Sequence, residues 1–469
     1  MTDLIWLYTS KILSMALGLV VAVFYYNYLG PEKIGILAFI SILLLYFGLL
    51  SNDISIHNIA IRHERETENK NSFFSAAFIL KIFISFIFFC AFVAYVSFSN
   101  IGEKLIAYIL GMALLFSPLL VFNSVLEYEQ KFRLIAKIDL ITTWLNYSVI
   151  FMLVYLKSEL LGFVIVQTFF IMIKNIIFAF FSFKNGFKLN FSNLYSNIRI
   201  LLNGYWPLFI GAIMVSLYMR VDQIMIKYYK GLYYLGIYVL VVNLIEKLNF
   251  IPTTLVSYLY PRYAKLKTRD EFVNLTSKIA NVILPFMALS VLFCIFFAQD
   301  IARFFAKSYP VDIFTKTFIA LSFSFIGVFS GSIFARVDIL FDMQKQQTIM
   351  LGIMLLINIV LNFLLIPQYH IIGAAIATSV SYCLVTILPY FLMPKMRLIY
   401  KLLLKKYLIF WPSMAFITIL FLIYGNIQSF VFRVLIYIFI SAILFYMNKE
   451  AFIFIFPRLK LKKEYQNVK

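Results

Sequence analysis

Acidic residues, cysteine and histidine are scarce in this sequence, and each shortage excludes a class of protein. The three cysteines, Cys90, Cys294 and Cys383, each sit inside an apolar run. That rules out a disulfide framework and CxxC metal spacing, and leaves them as small core residues. The three histidines, His57, His63 and His370, are too scattered for ligand spacing. No G-x-x-x-x-G-K-[ST] run occurs, so no P-loop binds nucleotide. No cofactor or metal is expected. Charged residues are only 13% of the chain against 63% hydrophobic, with a mean hydropathy of +0.92. Soluble domains carry about a quarter charged residues. The expected class is an all-α polytopic membrane protein.

What is present is a series of apolar runs near twenty residues, the length that crosses a bilayer. About fourteen can be traced. Six lie at 10–29, 34–52, 74–98, 103–127, 136–156 and 160–182. Six more lie at 201–226, 233–256, 278–298, 313–340, 349–366 and 371–393, and two follow at 406–424 and 430–448. Asp3 spoils a basic leader and no A-x-A site follows, so the first run is expected to stay as a helix. The longest loops, 53–73, 183–200 and 257–277, are too small for an enzymatic domain. The chain is not expected to be an enzyme.

Lys and Arg number 41 against 21 acids, a net charge of +20. Such a charge suits nucleic acid, but its placement does not. Clusters at Arg262, Lys265, Lys267 and Arg269, at Lys395 to Lys406, and in the tail from Arg458 all fall on one side. They sit where a cytoplasmic N-terminus puts inner loops and tails. This positive-inside bias favours anionic inner-leaflet lipid as a partner, with both termini cytoplasmic and no nucleic acid bound.

An internal repeat runs through the chain, at an offset of 201 where its first two segments match. LGPEKIGILAF, Leu29 to Phe39, matches KGLYYLGIYVL, Lys230 to Leu240: Gly30 and Gly35 answer Gly231 and Gly236. Leu160-Leu161-Gly162 is echoed by Ile371-Ile372-Gly373. The repeat predicts two pseudo-symmetric six-helix lobes, 1–199 and 200–394. Helices thirteen and fourteen with a basic tail, 395–469, lie outside it. Parallel repeats of this kind hold cargo at their interface and alternate access by rocking.

Several of these residues look familiar. LGPEKIG resembles the LGPxxYG turn after the first helix of polysaccharide-biosynthesis flippases. Trp206-Pro207, Asp222, Gly236-Ile237-Tyr238, Pro252 and Tyr260-Pro261 resemble their seventh and eighth helices. NIVLNFLLIPQYHIIGAAIATSVSY, Asn358 to Tyr382, is similar to a segment shared across the MOP transporter superfamily. The resemblance, nearest to the O-antigen branch, implies a MOP/MATE-like fold. It also implies passage of undecaprenyl-diphosphate-linked oligosaccharide from the cytoplasmic to the outer leaflet of a bacterial inner (plasma) membrane. A glycan polymerase and a chain-length regulator would be partners. A MATE-type multidrug exporter and a lipid-linked peptidoglycan precursor flippase are the alternatives on the same fold. Two positions depart from the pattern: His370 stands for its first Gly, and Ile34 for the Tyr. Asn358 and Asn362, one turn apart, read as packing glue, and Gly373, Ala374, Ala375 and Ala377 as a close-approach stripe. Pro207, Pro252, Pro285 and Pro389 invite bends.

The charges inside the runs carry the sharper expectation. Each costs at least ~2.5–3.5 kcal/mol at bilayer depth and is seldom left without a partner or water. Lys81, Lys174 and Lys247 fall toward the inner half, and Arg220 toward the outer. Fixed cations suit a diphosphate, so these four are the expected cargo contacts. Asp222 and Glu246 are the expected coupling acids, for a proton or sodium. Asp139 and Asp338 read as lying near inner helix ends, which leaves the deep interior net basic and disfavours organic-cation cargo. Plainer readings stand beside these. Lys81 can snorkel to the interface, and the two acids can simply balance Arg220 and Lys247.

Overall fold

The computed structural model describes residues 2–49, 69–99, 102–249, 269–340, 343–394 and 430–449. It adds Ile56, Ala60, Pro252, Leu266, Arg397, Tyr400, Lys401 and Lys405, and omits the side chains of 2–10, 205–208, 269, 333–340 and 344. The run at 406–424, His57, His63, Tyr260-Pro261 and the side chains of Trp206, Pro207 and Asp338 lie outside the described residues.

Every described element is helical. In order they are α1 (Thr2–Gly48), α2 (Lys70–Phe98), α3 (Lys104–Phe116), α4 (Leu120–Tyr128), α5 (Phe132–Tyr155), α6 (Leu160–Lys184) and α7 (Leu194–Lys230). Then come α8 (Leu232–Leu248), α9 (Arg269–Phe305), α10 (Val311–Ser322), α11 (Ser324–Leu340), α12 (Gln344–Cys383), α13 (Leu388–Leu392) and α14 (Phe430–Met447). Among the described residues ten helical segments are long and apolar enough to cross a membrane. Two of them are pairs of spans joined across a kink, at Gly30 in α1 and at His370 in α12. The chain is a multi-pass membrane protein. By contact density it divides into two compact units: Met1–Lys227 with Gly231–Gly236, and Tyr228–Lys230 with Ile237–Lys469.

In lipid, burial of apolar surface drives little association, so shape and interhelical hydrogen bonds must hold a bundle together. The first unit uses both. α1 lies along α5: Gly18 admits the ring of Tyr147, Phe24 meets Phe151 edge-on at 5.2 Å, and the Tyr28 hydroxyl donates to the Ser158 carbonyl at 2.9 Å. One apolar core gathers Phe73, Phe74, Phe122, Phe178 and Phe187, and a second gathers Leu29, Ile40, Phe92, Leu110 and Phe163. Pro118 opens a 3-10 turn, Ser117–Leu119, that divides the fourth predicted run into α3 and α4. At one end of the unit, Asn197 donates to the Ser72 hydroxyl at 2.9 Å, and the Asn190 N–H to the Ser75 hydroxyl at 3.0 Å. These bonds tie the α6–α7 loop and the start of α7 to the first two turns of α2.

The repeat-related turns adopt one conformation. Gly30 has φ 73 and ψ 173, and Gly231 has φ 87 and ψ 179, a region side chains avoid. Five residues further on, the two copies meet within the first unit. A side chain on Gly35 would run into the Leu232 carbonyl, and one on Gly236 into the Pro31 carbonyl. The contact is reciprocal, because Pro31 and Leu232 are themselves repeat partners. Only glycine fits at both places.

The second unit is built round the long, buried α9. Asn362 donates to the Asn358 carbonyl oxygen at 2.8 Å, and Asn358 donates to the Ser381 hydroxyl at 2.9 Å. Both amides are fully buried, so the pair packs helices together, as expected. α14 is pinned to α9 through Arg433, which pairs with Asp300 at 2.8 Å and donates to the Phe296 carbonyl at 2.6 Å. The same guanidinium lies over the rings of Phe297 and Phe430. None of the residues of α14 is buried.

Candidate functional site

Between the two apolar cores of the first unit lies a belt of polar side chains. Lys81 sits eleven residues into α2, about 16 Å along the axis, and is only 2% exposed. One turn on, the Ser85 hydroxyl shares a hydrogen bond with the Ser117 hydroxyl at 2.9 Å. Asn175 of α6 donates to the Phe116 carbonyl at 3.2 Å beside it. The turn that Pro118 opens therefore joins α2 to α6 at mid-span. Adjacent to Asn175, the Lys174 ammonium pairs with the Asp139 carboxylate of α5 at 2.7 Å and lies 5.8 Å from the Phe178 ring centre. Lys81 is thus buried within the unit rather than at its surface.

Asp139 does not lie at a helix end. α5 begins at Phe132, a turn earlier than the apolar run, which carries the carboxylate about 10 Å in. The expectation that set Asp139 aside is corrected: it is the direct partner of Lys174.

Arg220 and Asp222 stand on α7, ten and eight residues before its end at Lys230. Asp222 is 4% exposed, and its carboxylate accepts the N–H of buried Gln223 at 2.7 Å. Tyr46 of α1 brings that helix alongside: its hydroxyl donates to the Ser216 carbonyl at 3.4 Å, and both Asp222 and Arg220 are within electrostatic reach of its ring oxygen. Tyr46 lies 201 residues before Lys247, as its repeat partner. Glu246 and Lys247 belong to the second unit, in the last described turn of α8, half-buried. Four of the six expected residues thus lie in the first unit, Lys81 and Lys174 in the belt and Arg220 and Asp222 on α7 beside α1, while the other two share α8.

A further group surrounds Lys227, which shares one stripe of α7 with Ser216, Arg220 and Gln223. Lys227 places its ammonium 4.5 Å from the centre of the Phe39 ring. Beside it Ile36, Phe39, Glu103 and Leu232 line a cavity of about 80 Å³. The stripe signals Lys227 in the sequence, whereas Phe39 and Glu103 lie on other segments and carry no such signal. Among the described residues no three His, Cys, Asp or Glu side chains come together as a metal site would require.

Chemically, the belt sets two ammonium groups among hydroxyls and an amide at membrane depth, with one carboxylate paired to Lys174. It suits an anionic group better than a cationic one. The fold is one seen before. The lipid II flippase MurJ, in an inward closed conformation, superposes with a TM-score of 0.71 at 18% identity, over 96% of this chain and 99% of that one. An inward-facing multidrug resistance MATE family transporter of the MOP superfamily superposes with a TM-score of 0.59 at 15% identity, over 82% and 94%. At such identities the likeness is one of fold. An uncharacterized membrane protein of Methanocaldococcus jannaschii is 28% identical over 206 residues, 43% of this chain. The match spans about half of that relative, 48% of its length. The family model for polysaccharide biosynthesis proteins matches residues 1–267, which takes in α1 to α8 and every charge just described. The chain belongs to the polysaccharide biosynthesis protein family.

Proposed function

We propose that this protein is a flippase for an undecaprenyl-diphosphate-linked oligosaccharide, an O-antigen or similar surface-polysaccharide unit. It moves its cargo from the cytoplasmic to the outer leaflet of a bacterial inner membrane, with both termini cytoplasmic. The observation that carries the reading is the belt of the first unit, where Lys81 and Lys174 are held at mid-span between two apolar cores. A diphosphate cannot enter hydrocarbon bare, and fixed ammonium and guanidinium groups are what lower that cost. Lys81, Lys174 and Lys247 receive the headgroup, and Arg220 holds it further along while the polyprenyl tail stays in lipid. Rocking of two lobes, 1–199 and 200–394, exposes the site to each side in turn. Asp222 and Glu246 couple the cycle to a proton or sodium. A few kcal/mol of preference for the loaded state is enough, since tighter holding would slow release.

The test is complementation of a strain lacking its O-antigen flippase, with membrane levels of each variant measured. Wild type restores surface glycan, while Arg220→Ala and Lys247→Ala do not. Arg220→Lys also fails, because a point charge replaces a bidentate fork. Full display from both alanine variants would remove these cations from the pathway. Failure of the wild-type chain here, with rescue of a strain depleted of its lipid II flippase, would reassign the cargo to peptidoglycan precursor.

A further inference from the structure

The pair of Lys174 and Asp139 is unlike the pair of Arg433 and Asp300, which joins the ends of α14 and α9. Arg433 and Asp300 are 11% and 31% exposed, and the guanidinium also bonds a backbone carbonyl and lies over two rings. Lys174 and Asp139 are 37% and 40% exposed, with the Phe178 ring beside the ammonium. A pair open to lipid at that depth would carry a heavy penalty. The helices show which way it opens. At about 100° per residue, the exposed apolar stripe of α5, with Ile141, Trp144 and Leu145, lies across the helix from Asp139. The stripe of α6, with Ile165, Phe169 and Ile176, lies across from Lys174 in the same way. Both charges face the interior side of the unit, away from lipid.

A second cation lies at the same level. Lys11 shares a stripe of α1 with Gly18, seven residues on, which lies against Tyr147 of α5. Asp139 is eight residues before Tyr147 on a helix that runs parallel. That register sets exposed Lys11 level with Asp139.

From this geometry we infer that Asp139 is a resident anion, which occupies Lys174 until the diphosphate of the cargo takes its place and reclaims it on release. The inference rests on the reading of Lys174 as a cargo contact. Lys174 has a flexible four-carbon stem and can change partner by rotation alone. Asp139 is short and fixed, and Lys11 stands level with it once Lys174 turns away. A diphosphate outbids a single carboxylate for an ammonium because its charge is greater. The carboxylate, tethered a few ångströms away, competes at high effective concentration and keeps holding from becoming too tight. Asp139 is therefore a positioning residue that sets the strength and lifetime of cargo binding.

The test uses the full chain in lipid nanodiscs with inorganic pyrophosphate as the probe, read by calorimetry, and glycan display in cells as a second readout. Asp139→Asn is expected to bind pyrophosphate about two- to five-fold more tightly than wild type, the weight of one half-exposed ion pair. Its glycan display falls even so, because release slows. Adding Lys174→Gln abolishes the gain, and Asp139→Glu binds as wild type does. If wild type binds pyrophosphate and Asp139→Asn binds it no more tightly, the resident-anion role is overturned while the cargo contact stands. If neither binds it, the cargo contact falls as well. Asp139→Ser serves where Asp139→Asn fails to fold, and loss of folding in both would make the pair a structural tie and overturn the inference.

Discussion

His370 sits at φ 55 and ψ −139, inside the kink that joins the two halves of α12. Backbone of that kind costs a side-chain-bearing residue about 1–3 kcal/mol, and glycine adopts it freely. The superfamily pattern has glycine at this point, so the departure visible in the sequence becomes a strained residue in the structure. Restoring glycine removes the strain but adds unfolded-state freedom worth roughly 0.5–1 kcal/mol. His370→Gly is therefore expected to stabilise the chain by about 1 kcal/mol, seen as a higher melting temperature of the purified protein. A melting temperature that fell would mean the imidazole contributes more than the strain costs. This residue was legible because it interrupts a pattern. The partner of Lys174 was not, because the two charges lie on different helices, and hydropathy placed the start of α5 one turn too late.

Helix ends are where local chemistry departs furthest from hydropathy. α7 and α9 each run to 37 residues, well past their apolar runs, because polar ends go on making helical hydrogen bonds beyond the span. The Pro118 turn was invisible for the opposite reason: its neighbours are as apolar as the helices it separates. Outside the spans, the α4–α5 turn is tied to the start of α2 by Glu129, which meets Lys70 at 3.0 Å and Lys131 at 2.9 Å. Burial alone would push the Glu129 carboxyl up, but bonds and charge from Lys131 and Lys70 outweigh it and hold the group below the ordinary carboxylate range. A depressed folded value gives stability that is present above the unfolded value, about 4.3, and is lost as pH falls through the folded one. With Lys70 half-exposed the tie is worth at most ~1 kcal/mol. Glu129→Gln should melt slightly below wild type at pH 7, with the difference vanishing in acid. A difference that did not change with pH would show that the charge is not its source.

At the scale of the whole chain, charge bias predicts orientation. The basic stretch from Lys395 to Lys405 should be cytoplasmic. A single cysteine placed there in an otherwise cysteine-free chain should resist impermeant maleimide until cells are opened, and labelling of intact cells would invert the topology. The repeat was legible at this scale because glycines at a close approach have no substitute, so Gly35 and Gly236 still answer each other while most residues around them differ. How charge is shared between the halves was legible only as a list of positions. The repeat partners of Arg220, Asp222 and Lys247 are Leu19, Val21 and Tyr46, and only the fold brings Tyr46 to the charges on α7.

The meeting of Gly35 with Leu232, and of Gly236 with Pro31, is a contact in which each side supplies the same two parts. Self-complementary surfaces of this kind are what two copies of one polypeptide use to pair. A chain half this length, inserted twice in the same sense, could close the contact with its own twin. In such a pair one substitution strikes both sides at once, and neither glycine can ever be tested alone. Joined end to end, the two copies answer to separate codons. Loss of Gly35 can then be met by a change near Leu232 alone, and the halves are free to take up different work.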